Sequence, residues 1–183
     1  MDDAIALYLD LMKQCLLDAI YERPEYQPIA PTGFWKRKLV ELSAARGLQI
    51  VRVTPIDWQA RREGLDWPAT AHTMIGAKRL DNLQSCVEDV LAKGVPGDLI
   101  ETGVWRGGVT IFMRAILKAH NVTDRRVWVA DSFAGLPKPN AEEYPEDAGS
   151  ILHTYAQLAV SRDQVQAYFY SCTCGPSWAR RRW

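Results

Sequence analysis

The stretch Gly97-Asp-Leu-Ile-Glu-Thr-Gly-Val-Trp-Arg-Gly-Gly108 decides the fold of this 183-residue chain. It contains an apolar segment typical of a buried strand, then a glycine-containing turn, then the start of a helix. A second apolar segment, Val127 to Ala130, follows after one helix and is succeeded by Asp131. Strand, glycine turn, helix, strand and acid, in this order, are typical of an α/β domain that binds a nucleoside-bearing cofactor.

The composition is that of one ordinary globular domain. Lysine and arginine together number 22, as do aspartate and glutamate, so the formal net charge is +0 and neither nucleic acid nor a membrane surface is predicted as a partner. No apolar run is long enough to span a bilayer, and the first residues lack the pattern of a signal peptide. We therefore expect a cytoplasmic protein with a small-molecule substrate.

Around the core motif, hydrophobic periodicity and chain-breaking residues define the remaining elements. Helices are predicted over residues 2–21, 34–46, 73–91, 107–119 and 151–170, and strands over 98–104 and 127–130. An extended proline linker (24–31), an extended or strand-like segment (48–53) and loops (57–68 and 132–150) are expected to connect them. Cys15 and Cys86 fall in helical patterns and are expected to be buried.

These elements predict a Rossmann-like α/β fold with an incomplete sheet and an N-terminal helical extension. The boundaries expected are an N-terminal helical or cap region at 1–65, a partial cofactor-binding α/β domain at 66–170, and a tail at 171–183. The tail has neither strand alternation nor a helical period, and the residues before it supply only two or three strands.

The glycine turn favours one class of cofactor. Gly103 permits a sharp turn after the strand, and Gly107 permits close approach of the next helix. Trp105 occupies the position where a diphosphate-binding turn has its middle glycine, and Glu101 suits a cationic ligand better than a diphosphate. Both features favour S-adenosylmethionine (SAM) over NAD, although a glycine-rich turn without any ligand remains an equal alternative.

Asp131 stands where an acid can accept hydrogen bonds from both hydroxyls of a ribose. An aspartate at this position also serves commonly as a helix cap or loop residue, and taken alone that interpretation is favoured. The pairing with Glu101 at this spacing favours the ribose role.

The other polar clusters give weaker indications. The run from Asp66 to Gly76 is typical of a capped helix start and suits a flap over a cofactor pocket. His72 and His153 are expected to be structural or exposed, and Cys172-Thr-Cys174 lacks a second ligand pair. No metal site is predicted in this chain.

Several segments together resemble the macrocin-type sugar O-methyltransferases of macrolide biosynthesis, which are SAM- and metal-dependent. The resemblance covers most of residues 5–169, and the glycine turn with its tryptophan is specific to that family. The segments that carry it are Leu7–Leu11, Asp66–Gly76, Lys78–Gln84, Asp98–Gly108 and Val129–Pro137.

The resemblance implies a set of cofactor-binding residues. Glu101 and Gly103 would line the methionine end of SAM, and Asp131 would hold the ribose. The remaining members are Ser132 and Phe133 near the adenine, and Thr73 and Met74 closing over the methionine part. The resemblance also implies magnesium in intact relatives, but their metal ligands and base lie on later strands that have no counterpart here, so no catalytic residue is predicted.

Three hypotheses for function follow. The first is a SAM-dependent O-methyltransferase acting on a sugar hydroxyl of a macrolide-like natural product, compatible with a homo-oligomer and expected to be an incomplete copy because its tail resembles out-of-frame translation. The second is a catalytically inactive SAM-binding or partner-binding remnant. The third is an NAD(P)-binding domain, which Trp105 and Glu101 disfavour.

Overall fold

The computed structural model describes residues 3–172, which form a mixed α/β protein. Its six α-helices and four short strands are interspersed along the chain, and three single-turn 3-10 helices lie between β4 and α6. The elements are α1 (Asp3–Leu16), β1 (Glu25–Pro28), α2 (Phe34–Ala44), β2 (Val51–Thr54), α3 (Trp58–Glu63), α4 (Gly76–Ala92), β3 (Leu99–Thr102), α5 (Gly108–Ala119), β4 (Val127–Ala130) and α6 (Arg162–Cys172). The predicted α/β class is confirmed.

Two elements near the N-terminus differ from the sequence prediction. The expected proline linker contains β1, which pairs antiparallel with β2. Pro28 is tolerated because it ends a strand in a two-stranded sheet, where its missing N–H disrupts no central ladder. The expected loop at 57–68 contains α3, and Asp57 is its N-cap: the Asp57 carboxylate accepts N–H bonds at 3.0 Å from Gln59 and Ala60.

Helix α5 is the centre of the core. It packs between α1 and α4, and also contacts β3 and β4. Eight of its twelve residues are buried, Ile111, Phe112, Ile116 and Leu117 among them. Full burial of each such side chain stabilises the fold by about 1.5–3 kcal/mol.

The parallel pair β3–β4 carries the glycine turn at its C-terminal end. Leu99 lies opposite Val127, and Thr102 lies opposite Ala130. The Leu99 and Val127 side chains pack against the core, whereas Ile100 on the other face is 61% exposed and Trp128 is 48% exposed. Within the described part of the chain, therefore, only one face of this sheet is covered.

The C-terminal part of the predicted helix 151–170 is α6, but its first half consists of 3-10 turns at Leu152–Thr154 and Ala156–Leu158. A capping box sets the later start. The Ser161 hydroxyl accepts the Gln164 N–H at 3.3 Å, and the Gln164 side chain accepts the Ser161 N–H at 3.0 Å.

The prediction that Cys15 and Cys86 are buried is wrong, since both thiols are free and exposed.

No helix among residues 3–172 has the length and apolarity needed to cross a membrane.

Leu9 and Leu16 of α1 belong to the same buried cluster as Leu80, Phe112 and Ile116. The N-terminal helix thus shares the core of the α/β unit, while a division at residue 65 stays a prediction. The tail from residue 173 lies outside the described residues.

The uncovered sheet face predicts self-association. Ile100→Thr keeps a β-branched residue in the strand but removes apolar surface from this face, so we expect less association, measured by light scattering against protein concentration. Ile151→Thr is the matched control, because Ile151 is 58% exposed and belongs to no strand. Equal association of both variants and the parent chain would show that the sheet face does not drive it.

Candidate functional site

The turn between β3 and α5 owes its shape to alternating residues with positive φ. Gly103 and Gly107 both have φ +82°, and Trp105 between them has φ +48°. A Cβ added at Gly103 would have nothing within 4 Å, so the turn is open there. A Cβ at Gly107 would lie 3.0 Å from the Phe169 ring, because α6 packs closely at this point.

Glu101 is the half-buried acid at the end of β3. The Thr110 hydroxyl of α5 donates a hydrogen bond to its Oε2 atom. Burial raises the pKa of Glu101 to about 7; the hydrogen bonds to Thr110 oppose this rise, and the negative charge of Asp131 adds to it. A carboxylate in this situation is stabilised by a cationic ligand, which would favour its ionised form.

Asp131 immediately follows β4, and its carboxylate binds two backbone N–H groups. Oδ2 accepts the Val104 N–H at 2.6 Å, and Oδ1 accepts the Phe133 N–H at 2.7 Å. The side chain therefore fixes the glycine turn to the end of β4 and caps no helix, since none begins directly after Asp131. An ionised carboxylate has about four acceptor positions, so capacity for ligand hydroxyls remains.

The two residues after Asp131 form a local turn. Ser132 accepts the Ala134 N–H at 3.3 Å, and its hydroxyl donates to the Gly135 carbonyl at 3.2 Å. Phe133 has φ +55° and packs partly buried against the core. Contact of either residue with an adenine stays a prediction.

The 66–75 segment, which joins α3 to α4, is tied to the turn through its backbone. The His72 backbone N–H donates to the Leu16 carbonyl at 2.8 Å, and the His72 carbonyl accepts the Gly108 N–H at 3.0 Å. The Arg106 guanidinium donates to the Ala71 carbonyl at 2.8 Å. A Cβ at Gly108 would lie 2.5 Å from the His72 carbonyl oxygen, so this close contact requires glycine at the start of α5.

Thr73 and Met74 occupy different environments within this segment. Thr73 is buried, and its hydroxyl accepts the Ile75 N–H at 3.3 Å. It does not cap α4, because Ile75 is the N-cap residue and makes no side-chain cap. Met74 is half-buried and lines a cleft beside the turn. The closing role predicted for both residues stays a prediction.

That cleft, called here the indole cleft, has a volume of about 250 Å³. The Trp105 indole N–H donates to the Gln157 carbonyl at 2.8 Å, and the Trp67 ring lies 5.2 Å from the Tyr155 ring. Trp67 and Trp105 lie within the segments quoted above, but nothing in the sequence indicated Gln27 or Gln157. The lining residues are Gln27, Trp67, Pro68, Met74, Trp105 and Gln157.

A buried ionic cluster contacts the 66–75 segment. Arg61 of α3 is only 2% exposed and binds Glu25 of β1 at 2.6 Å and the Leu17 carbonyl at 2.8 Å. Its Nε atom also donates to the Asp66 carboxylate. Glu25 in turn accepts the Ala69 N–H at 3.0 Å. The cluster joins two regions that are distant in sequence, residues 17–25 and residues 61–69, and no sequence pattern indicated it.

Within residues 3–172, no group of three or more histidine, cysteine or acidic side chains is placed to hold a metal ion. Burial lowers the pKa of His72, so its ring is neutral at pH 7. The His72 and Tyr168 rings are steeply inclined to each other, with 4.9 Å between their centroids. The Cys172-Thr-Cys174 motif extends beyond the described residues.

Comparison with known proteins identifies a family. Residues 5–173 match the family described as Macrocin-O-methyltransferase (TylF). The chain is 49% identical over 169 residues to an 8-demethyl-8-(2,3-dimethoxy-alpha-L-rhamnosyl)-tetracenomycin-C 4'-O-methyltransferase of Streptomyces olivaceus, with 92% of this chain and 57% of that protein covered. It is 46% identical over 168 residues to a Mycinamicin III 3''-O-methyltransferase of Micromonospora griseorubida, covering 90% of this chain and 58% of that protein.

The solved structure of the O-methyltransferase NovP has the same fold, with a TM-score of 0.72 and 44% identity. The match covers 92% of this chain and 60% of NovP. The predicted methyltransferase fold is thereby confirmed. This chain spans a little over half the length of the relatives it matches.

The Arg61 cluster predicts a large loss of stability on substitution. Arg61→Met leaves Glu25 and Asp66 without their cation, and breaking such a buried pair costs about 3–5 kcal/mol. Urea denaturation measures the change in the free energy of unfolding. Lys78→Met is the control, because Lys78 forms an ion pair with Glu63 at 2.9 Å while 66% exposed, and such a pair contributes about 0–1 kcal/mol. Equal losses in both variants would mean that the buried cluster contributes no more than the surface pair.

Proposed function

The chain belongs to the macrocin O-methyltransferase family, and on that premise we propose that it binds SAM for methyl transfer to a sugar hydroxyl of a glycosylated natural product. The observation that carries the proposal is the placing of Glu101 and Asp131 at the same edge of the parallel strands, on either side of the glycine turn. The relatives' names, which specify methylation at numbered oxygens of a rhamnosyl compound and of mycinamicin III, support this class of acceptor.

SAM fits the charge of this edge. Glu101 would face the positively charged methionine end, and the open Gly103 turn would leave room for it. Asp131 would accept hydrogen bonds from the ribose hydroxyls, with Ser132 and Phe133 toward the adenine and with Thr73 and Met74 closing over the methionine part. Bound SAM supplies a methyl group on a sulfonium, which is electrophilic without further activation. NAD fits less well, because its diphosphate would meet Trp105 and Glu101.

Magnesium, which the resemblance implies for intact relatives, does not fit the described residues, since they hold no suitable cluster. We therefore derive no step through a metal and assign deprotonation of the acceptor hydroxyl to none of these side chains. What the described residues contribute is binding and orientation of the methyl donor, which brings the reacting atoms together. A chain that binds SAM without transferring methyl is the second candidate, and radiolabelled methyl transfer to glycosylated macrolides distinguishes the two.

Calorimetric titration tests cofactor binding. We expect SAM and S-adenosylhomocysteine to bind the 183-residue chain and NAD not to bind. Asp131→Asn should weaken SAM binding by about 1.5–3 kcal/mol, roughly 10- to 100-fold, because charged hydrogen bonds to the ribose are lost. Asp124→Asn, at an exposed acid in the loop before β4, is the control. Tighter binding of NAD than of SAM would refute the assignment, and unchanged SAM affinity in Asp131→Asn would remove Asp131 from the site.

SAM affinity should depend on pH through Glu101. In the free chain its pKa is about 7, and a bound cation would lower it. Below pH 7 the carboxyl must therefore lose a proton on binding, so affinity falls as pH falls. Between pH 7.5 and 5.5 we expect a loss of about 10- to 30-fold. Glu101→Gln should bind weakly with little pH dependence, and adenosine, which is neutral, is the control ligand. A flat SAM profile in the unmodified chain would contradict a Glu101–cation contact.

A further inference from the structure

We propose that the indole cleft is the binding site for the acceptor sugar ring, an inference that rests on the proposed function. Two partly exposed indole rings, of Trp67 and Trp105, form its walls, and Met74 and Pro68 add apolar surface. Gln27 and Gln157 complete the lining. The cleft thus combines flat aromatic surface with residues that carry both donors and acceptors of hydrogen bonds.

A deoxysugar matches this combination. One face of a pyranose ring consists largely of C–H groups, which pack on the electron-rich face of an indole. Its hydroxyl groups require partners that both donate and accept, which the glutamine side chains and the local backbone provide. A single ring is also small enough for a cleft of about 250 Å³.

The charge of the lining distinguishes this cleft from the cofactor site. None of its six lining residues is charged, whereas the edge predicted to bind SAM carries Glu101 and Asp131. The cleft therefore offers a ligand with an ammonium and a sulfonium no carboxylate, while an uncharged sugar needs none. The two sites nevertheless adjoin, because Trp105 belongs to the same turn as Gly103, and Met74 follows Thr73.

The backbone at Trp105 provides a second, independent observation. Trp105 has φ +48°, a left-handed conformation that glycine would occupy with less strain. The ring is held by its hydrogen bond to the Gln157 carbonyl and by the Arg106 guanidinium, 4.2 Å from the ring centroid. Backbone strain retained at a ligand-lining position is typical of functional sites. The contacts fix the indole as a rigid wall of the cleft.

Saturation-transfer NMR with methyl α-L-rhamnopyranoside tests the proposal on the whole chain saturated with S-adenosylhomocysteine. We expect transfer to the sugar ring protons, and Trp67→Ala should weaken glycoside binding about 3- to 10-fold while S-adenosylhomocysteine affinity stays within about twofold. Gln157→Ala is a second variant that should also weaken glycoside binding, and it carries little risk to folding because Gln157 is exposed. Trp35→Ala is the control, because Trp35 is 80% exposed on α2 and lies outside the cleft.

The outcomes separate this proposal from the proposed function. If S-adenosylhomocysteine binds but the glycoside does not, or if Trp35→Ala weakens the glycoside as much as Trp67→Ala, the sugar site is refuted and cofactor binding stands. If Trp67→Ala weakens S-adenosylhomocysteine instead of the glycoside, the cleft belongs to the cofactor. If neither ligand binds, both proposals fail.

Discussion

The parallel pairing of β3 with β4 is the constraint on which the rest of the structure depends. The register sets Glu101 opposite Val129, and the Gly103 N–H donates to the Ala130 carbonyl at 2.9 Å. The segments that follow the two strands therefore leave the sheet side by side. Asp131 then reaches back to the Val104 N–H and fixes the turn. A shift of this register by one residue would turn Glu101 to the uncovered face and remove the acid pair from the site.

The turn also organises the segments around it. Gly108 admits the His72 carbonyl, and Gly107 admits α6, so two distant parts of the chain pack against the first turn of α5. The buried Arg61 side chain connects these parts to the N-terminal region, because it binds Glu25 of β1, the Leu17 carbonyl after α1 and the Asp66 carboxylate of the 66–75 segment. The result is an acidic edge beside a neutral aromatic cleft, and this difference in charge suits two ligands of different polarity in adjoining positions.

Local signals account for what the sequence predicted. The bounds of β4 agree at both ends and those of α5 within one residue, because strong apolar periodicity is flanked by glycine or polar residues. Strand β1 was missed because its stability comes from β2, some 25 residues later, and its sequence contains proline. The α6 start at Arg162 had a readable signal in the Ser161–Gln164 capping box. Gln27 and the burial of Arg61 had none, since both depend on contacts between distant segments.

Hydrogen exchange of the whole chain, with and without S-adenosylhomocysteine, tests most directly whether the paired strand ends form one cofactor site. We expect the ligand to slow exchange together in three segments, 66–75, 101–108 and 131–135, because the ribose and methionine ends would engage one turn and its anchors. Helix α2, which has no buried residue, should be unaffected. Protection confined to one segment, or spread equally to α2, would contradict a single site built on the β3–β4 pair.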